Sequence, residues 1–238
     1  ELLDWVSNQG KIHTFGVEST GSYAAGLTRF LTGRGIDVKE VNSPHPHTKA
    51  RIGKDDAIDA EAAARKVLAG VATADPKRTT GAIESLRFLM LARDSAVKAR
   101  TMALVQLQDI LITAPAEIRE NVPSTGRAAA TYCRKFRVDA AALHTPTQAV
   151  KCALRALAKR IASLDAEASE LEQQLSVLVA ATAPTLISRV GIGTIHAAQF
   201  LVTAGENIDR MHSEAGFARL CGPAPVPVSS GKSHRTRR

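Results

Sequence analysis

A chain of 238 residues with 45% hydrophobic and 23% charged side chains is long enough for a sizeable core and has the composition of a soluble globular protein of one or two domains. No apolar run reaches the ~18 residues of a membrane-spanning helix, and no cationic-then-apolar signal opens the chain. The three cysteines, Cys133, Cys152 and Cys221, lack the paired spacing of a zinc site or a disulfide framework, which fits a reducing intracellular compartment. The net charge of +8 favours a polyanionic partner, nucleic acid ahead of membrane.

Alanine and leucine dominate, which predicts a mostly helical protein. The chain opens on Glu1-Leu2-Leu3-Asp4 without an initiator Met, and it stops inside a cationic run. Both ends read as truncations. Residues 1–75 read as α/β. A short amphipathic helix closes at Gly10, "IHTFGVEST" is a strand ending in a polar turn, and "GSYAAGLTRFLTGRG" is a helix with Tyr23, Leu27, Phe30 and Leu31 on one face. "DVKEVN" alternates as a strand, "SPHPH" breaks regular structure, and "KDDAIDAEAAARKVLAG" is a helix with acids in its first turn. Strand, helix, strand, helix predicts a parallel sheet with helical crossovers.

Residues 80–182 read as two long helices. In the first, Ile83, Leu86, Met90, Val97, Leu104, Leu107 and Leu111 recur at helical spacing. The second begins near Gln148, and the two predict an antiparallel coiled-coil hairpin whose Pro-interrupted tip is "APAEIRENVPSTG". A spacer or dimerisation arm is the plain reading of this part, since helix cations are usually solvated. Residues 183–238 differ. Gly191-Ile192-Gly193 sits between two helices, a turn that can offer backbone N–H groups to a phosphate, although tight helix–helix turns need glycine as well. A short helix, a Pro-rich turn and "SSGKSHRTRR" follow, with Lys232, Arg235, Arg237 and Arg238 supplying half of the chain's net charge.

Two groups of residues can carry chemistry. Glu18 directly follows a strand, and Asp56 and Asp59 share a face at i, i+3. Such carboxylates are hard ligands that suit Mg²⁺ and phosphoryl transfer; equally, the aspartates complement a helix dipole and Glu18 is a loop acid. Ser229 and Ser230 precede Gly231 and the cations. They read as a nucleophile's loop, or as a plain turn or phosphate-binding loop.

The stretches "FGVESTGSYAAGLTRFLTGRGIDVKEVN", "GKDDAIDAEAAARKVLAG", "RVGIGTIHAAQFLVTAGE" and "FARLCGPAPVPVSSGKSHRTRR" resemble, in order and over nearly the whole chain, the DEDD-type insertion-sequence transposases. These are bacterial enzymes guided by a bridge RNA and related to the pilin-gene DNA invertases. The resemblance implies a partial RNase H-like domain of the Holliday-junction resolvase type (1–75), a helical coiled-coil arm (80–182) and a small helical transposase domain with a helix-hairpin-helix-like turn (183–238). It places the family's second acid on Glu18 and its last two on Asp56 and Asp59, as ligands of Mg²⁺. Asp55 takes the variable position, and the family's first Asp lies on a strand that this chain lacks. The family's nucleophilic serine falls on Ser230, which implies attack on a DNA phosphate and a covalent phosphoserine link, with a partner subunit's acids completing the site. Gly191, Gly193, Lys232, Arg235, Arg237 and Arg238 are the expected nucleic-acid contacts. DNA, a guide RNA and further copies of the chain, joined through the coiled coil, are the expected partners. Lacking one acid, the chain is expected to be inactive by itself. The alternative is a nucleic-acid-binding remnant of a decayed element.

Overall fold

The computed structural model describes residues 1–42, 55–207, 209, 211–231 and 233–237, the side chain of Arg237 excepted. The expected "SPHPH" break, Lys232 and Arg238 lie outside the described residues. The chain forms two compact units, residues 1–84 with 200–238 and residues 85–199.

The first unit opens with helix α1 (Leu2–Gln9), strand β1 (Thr14–Val17), helix α2 (Ala25–Gly33), strand β2 (Asp37–Glu40) and helix α3 (Asp56–Leu68). The strands pair in parallel, from Thr14 opposite Asp37 to Val17 opposite Glu40. This is the small sheet with a helical crossover that the alternating pattern predicts. Val17, Leu31 and Val38 are buried between the sheet and α2, with Leu3, Phe15 and Ile36 packed around them. The apolar face expected on α2 forms only in part. Leu31 is fully buried, but Leu27 and Phe30 are exposed and Tyr23 wholly so. Tyr23 falls outside the helix, which starts at Ala25 after a turn at residues 19–24.

Gly16 sets the distance between β1 and α3. A Cβ there would lie 2.8 Å from Cγ2 of Val67 and 3.0 Å from the carbonyl oxygen of Ala63. The missing side chain lets the helix backbone settle directly on the strand. Asp55 caps the helix, its carboxylate accepting from the Ala57 amide at 2.9 Å.

After α3 the chain runs along the edge of β2. The Glu40 amide donates to the Ala74 carbonyl at 2.7 Å. Lys39 meets Asp75 at 2.7 Å and Asp37 at 3.3 Å. The bond to Asp75, and then the one to Asp37, hold its ammonium above the usual lysine range.

The second unit is helical. It holds most of α4 (Ala82–Thr113), then α5 (Ala116–Arg119), α6 (Gly126–Cys133), a 3₁₀ turn (Ala140–Ala142), α7 (Pro146–Thr182) and α8 (Pro184–Ile187). Helices α4 and α7 run antiparallel. Arg100 meets Asp165 at 2.6 Å and, seven residues away on each helix, Arg93 meets Glu172 at 3.6 Å. The same register sets Leu107 opposite Ala158 and Leu111 opposite Leu154, all of them buried. Thr145 caps α7 through its hydroxyl, and Pro146 occupies the first turn, where its missing N–H has no bond to lose. The link between the long helices is larger than the short tip read from the sequence. Helices α5 and α6 build a core with Ile118, Ala129, Ala130 and Cys133 against Leu154 and Ile161. Burial pushes the Cys133 thiol up to about 11, so it stays protonated at neutral pH.

Helix α9 (Thr194–Ala204) returns the chain to the first unit. The Lys77 ammonium donates to the carbonyls of Val202 and Thr203 at 3.1 and 3.0 Å, a favourable place for a cation at a helix C-terminus. The Glu206 carboxylate accepts from the Ile83 amide at 3.2 Å, at the start of α4. Helix α10 (Glu214–Cys221) is capped by the Ser213 hydroxyl and ends at Gly222, whose φ of 87° is left-handed. Two short antiparallel strands, β3 (Val226–Pro227) and β4 (Thr236–Arg237), close the chain.

Candidate active site

Glu18 is half-buried at the end of β1. The next residue, Ser19, has φ 55°, the left-handed region that a side chain disfavours, and its carbonyl accepts from the amides of Ser22 and Ala24. Among the described residues it is the only non-glycine with positive φ. Strain of this kind, worth about 1–3 kcal/mol, persists where the surroundings over-determine it. Here it turns the chain sharply just beyond the strand-end acid.

Asp56, Asp59, Ala63 and Val67 follow one another at spacings of three and four along α3, so they form one stripe. Ala63 and Val67 are the part that meets Gly16. Toward the helix N-terminus the stripe passes from apolar to acidic, with Asp59 half-buried and Asp56 exposed. The sheet-facing side of α3 therefore carries the two acids expected from sequence. Their oxygens suit a hard divalent cation. However, among the described residues no group of three His, Cys, Asp or Glu gathers closely enough to hold a metal ion. Glu18, Asp56 and Asp59 alone do not close the three-ligand centre that their spacing suggests.

The serine loop is a β-hairpin. Val226 lies opposite Arg237 and Pro227 opposite Thr236. The Val228 amide donates to Arg235, and Ser230 and Ser233 exchange both backbone bonds at 3.2 and 3.0 Å. Gly231, with φ 55°, follows Ser230 directly into the turn. The bonded positions are 228 and 230, so Pro227 falls where no ladder N–H is needed. Alternation along the hairpin puts Ser230 on the face of Ser233 and Arg235, while Ser229 shares the other face with His234. The two serines that the sequence leaves side by side are thus separated by the pleat. Ser230 is exposed, next to the left-handed glycine at the turn.

Gly191 has φ 87° and sits in the turn after α8, and Gly193 immediately precedes α9. A Cβ on either would meet nothing within 4 Å, so their backbone is open to an incoming group. The first unit also holds a cleft of about 1060 Å³, lined in part by Arg29, Lys77, Arg78, His212 and Ser213. None of the residues singled out from sequence lines it. No short motif marks this cleft, because its walls come from α2, the strand-edge segment after α3 and the start of α10.

The first unit thus carries a strand-end acid, an acidic helix on the sheet and a serine hairpin beside cations. Residues 1–114 match the DEDD transposase model of the IS110 type, described as a transposase. Residues 183–238 match the model described as the transposase IS116/IS110/IS902 family. The chain belongs to the IS110-type transposases of insertion sequences, enzymes that cut and join DNA. Neither match reaches residues 115–182. No curated protein and no solved structure gives a significant match to the chain. No helix among the described residues is long and apolar enough to cross a membrane.

Proposed function

We propose that the chain binds DNA under the direction of a guide RNA and exchanges its strands in a Mg²⁺-dependent reaction, with Ser230 as nucleophile. The observation that carries this reading is the hairpin, which aims Ser230 from the same face as Arg235. The Ser230 oxygen attacks a DNA phosphorus and loses its proton. The bond from phosphorus to the leaving strand's sugar oxygen breaks, and that oxygen takes up a proton as the strand departs with a free hydroxyl. A hydroxyl of the incoming strand then attacks the phosphoserine, loses its own proton and returns one to the serine. Bond energy is conserved between the two steps, so no external energy source is needed. Arg235, with Arg237, Lys232 and Arg238, holds the flanking phosphates. Glu18, Asp56 and Asp59 would contribute ligands to a Mg²⁺ ion, which would stabilise charge on the reacting phosphate. Further acids, from a partner subunit, would complete the centre. In this reading the first unit's sheet belongs to an RNase H-like domain, residues 80–182 are a coiled-coil arm, and residues 183–238 form the transposase domain.

A second reading is favoured by one observation, the lack of a gathered acid cluster among the described residues. In it the chain binds nucleic acid without catalysis. One experiment separates the two. The chain, joined to an opening strand that carries the family's first Asp, is incubated in Mg²⁺ with its guide RNA and DNA carrying the ends of its element, and protein–DNA adducts are resolved under denaturing conditions. An adduct that disappears in Asp59→Ala and on chelation supports catalysis. DNA binding with no adduct supports the second reading. Binding should also depend steeply on salt. Removing residues 232–238 should flatten the slope of log affinity against log salt by roughly 0.9 for each duplex phosphate that the deletion sets free.

Self-association has its own observation. Phe88, Leu91, Met102, Val105 and Ile112 are exposed on α4, on a stripe whose steps alternate between three and four residues. The stripe's two charges, Lys98 and Asp109, are unpaired among the described residues and opposite in sign. An antiparallel second copy sets each Lys98 against Asp109 of the partner subunit. Met102→Glu with Val105→Glu should convert the oligomer to monomer, read by sedimentation velocity.

A further inference from the structure

Residues 114–162 carry nine lysines and arginines against three acids, a net +6 out of the chain's +8. The segment lies almost wholly in the stretch that neither family match reaches. Its cations are not neutralised by its acids. Among the described residues none of the nine forms an ion pair, whereas the two inter-helix pairs of the same unit use Arg93 and Arg100, both outside the segment. Two of its three acids are occupied locally. Glu117 accepts from the Thr147 hydroxyl at 2.6 Å, and Asp139 accepts from the Ala141 amide at 3.0 Å, at the 3₁₀ turn.

Two of the cations line an aromatic recess of about 290 Å³. It is lined by Tyr132 and Phe136, by Arg137 and Lys151, and by Glu117, Ile118 and Asn121. The two rings meet edge to face, with centroids 5.6 Å apart. Phe136 is partly packed on the unit's core, and Tyr132 remains 41% exposed. Arg155 fastens the recess to α7 by donating to the Phe136 carbonyl at 3.3 Å. Along α7, Lys151, Arg155 and Lys159 recur every four residues, a row of cations spaced by about 6 Å that leads out of the recess. Phosphate contacts alone need no aromatic surface, and duplex DNA keeps its base faces stacked inside. An exposed ring at the head of a cationic row suits unpaired bases, which stack on it while the backbone follows the charges.

We propose that the tip of the helical arm, centred on Tyr132, Arg137, Lys151 and Lys159, is a binding site for a single strand of nucleic acid, separate from the serine hairpin. The site does not depend on the role proposed for Ser230.

The test uses the whole chain and short labelled strands of one sequence, as single-stranded DNA, as single-stranded RNA and as duplex DNA, titrated by fluorescence polarisation at several salt concentrations. Tyr132→Ala should weaken single-strand binding roughly tenfold, while Tyr132→Phe, which keeps the ring, should bind as the parent does. Arg137→Gln, Lys151→Gln and Lys159→Gln together should lower the single-strand salt slope by roughly 2. Ultraviolet cross-linking of the parent chain should attach the strand to the segment that contains Tyr132. This result does not require any variant to fold. Preference for the RNA or for the DNA strand identifies the ligand's sugar and upholds the site either way. Cross-links confined to other segments would overturn the proposal. So would an unchanged salt slope in the triple variant with parental helicity, or duplex affinity equal to single-strand affinity with no effect of Tyr132→Ala.

Discussion

In the chain joined to an opening strand that carries the family's first Asp, Ser230→Ala is expected to abolish the covalent protein–DNA adduct and leave DNA affinity nearly intact. Loss of an attacking oxygen removes the covalent pathway itself, an effect on the order of 10⁴-fold or more on a nucleophilic step. In the proposed reading the hydroxyl contributes little to binding, which would rest on cation–phosphate contacts. The neighbouring serine is the internal control. The pleat of the hairpin sends Ser229 to the His234 side and Ser230 to the side of Arg235, so only one hydroxyl can approach a phosphate held by that arginine. Ser229→Ala should keep most of the adduct. An adduct that survives Ser230→Ala and is lost in Ser229→Ala would move the nucleophile to the other face. Survival in the double variant would refute serine catalysis.

Gly16→Val should destabilise the first unit by about 3 kcal/mol, with Gly16→Ala at the lower end of a range of about 1–3 kcal/mol. The added Cβ meets Cγ2 of Val67 at 2.8 Å, the Ala63 carbonyl at 3.0 Å and Cγ2 of Val41 at 3.2 Å. One of these is helix backbone and the others are stiff β-branched side chains, so α3 must move as a body. The displacement carries Asp56 and Asp59 with it, and adduct formation should fall further than the loss of folded protein explains. Gly26 in α2 has nothing within 4 Å of the corresponding position. Gly26→Ala should therefore stabilise by about 0.5–1 kcal/mol, the opposite sign from a substitution of the same size. Thermal unfolding of the three variants beside the parent checks both statements. An unchanged melting temperature in Gly16→Val would mean that α3 does not rest on β1.

The parts of this chain that local chemistry determines are legible in its sequence. Both parallel strands, the acid-led helix α3 and the two long helices follow from alternation, caps and period. Asp55 takes the variable position of a sequence motif, and the structure adds that it is the helix cap. What sequence reading misses depends on contacts between distant residues. Tyr23 has the spacing of a core residue on α2 but lies before the helix starts, because the turn at Ser19 consumes the preceding residues. The gathering of Glu18 with Asp56 and Asp59 is a tertiary matter that i, i+3 spacing cannot decide. Helix α6 and its basic surroundings have no clear periodicity to announce them, so the arm's tip reads as a Pro-interrupted link. The hairpin does carry a signal. Gly231-Lys232 sits between stretches that can alternate, but Pro225 and Pro227 argue against a strand, and only the register shows that Pro227 holds a position that needs no donor.

The chain leaves its first unit at Glu84 and re-enters it at Phe200. Both crossings are tied down inside that unit, by Glu206 to the Ile83 amide and by Lys77 to the carbonyls of Val202 and Thr203. Residues 85–199 are thus a cassette spliced into a frame whose own ends are already joined. A cassette of this kind can be exchanged, lengthened or lost in descent without redrawing the frame that carries the serine and the acids.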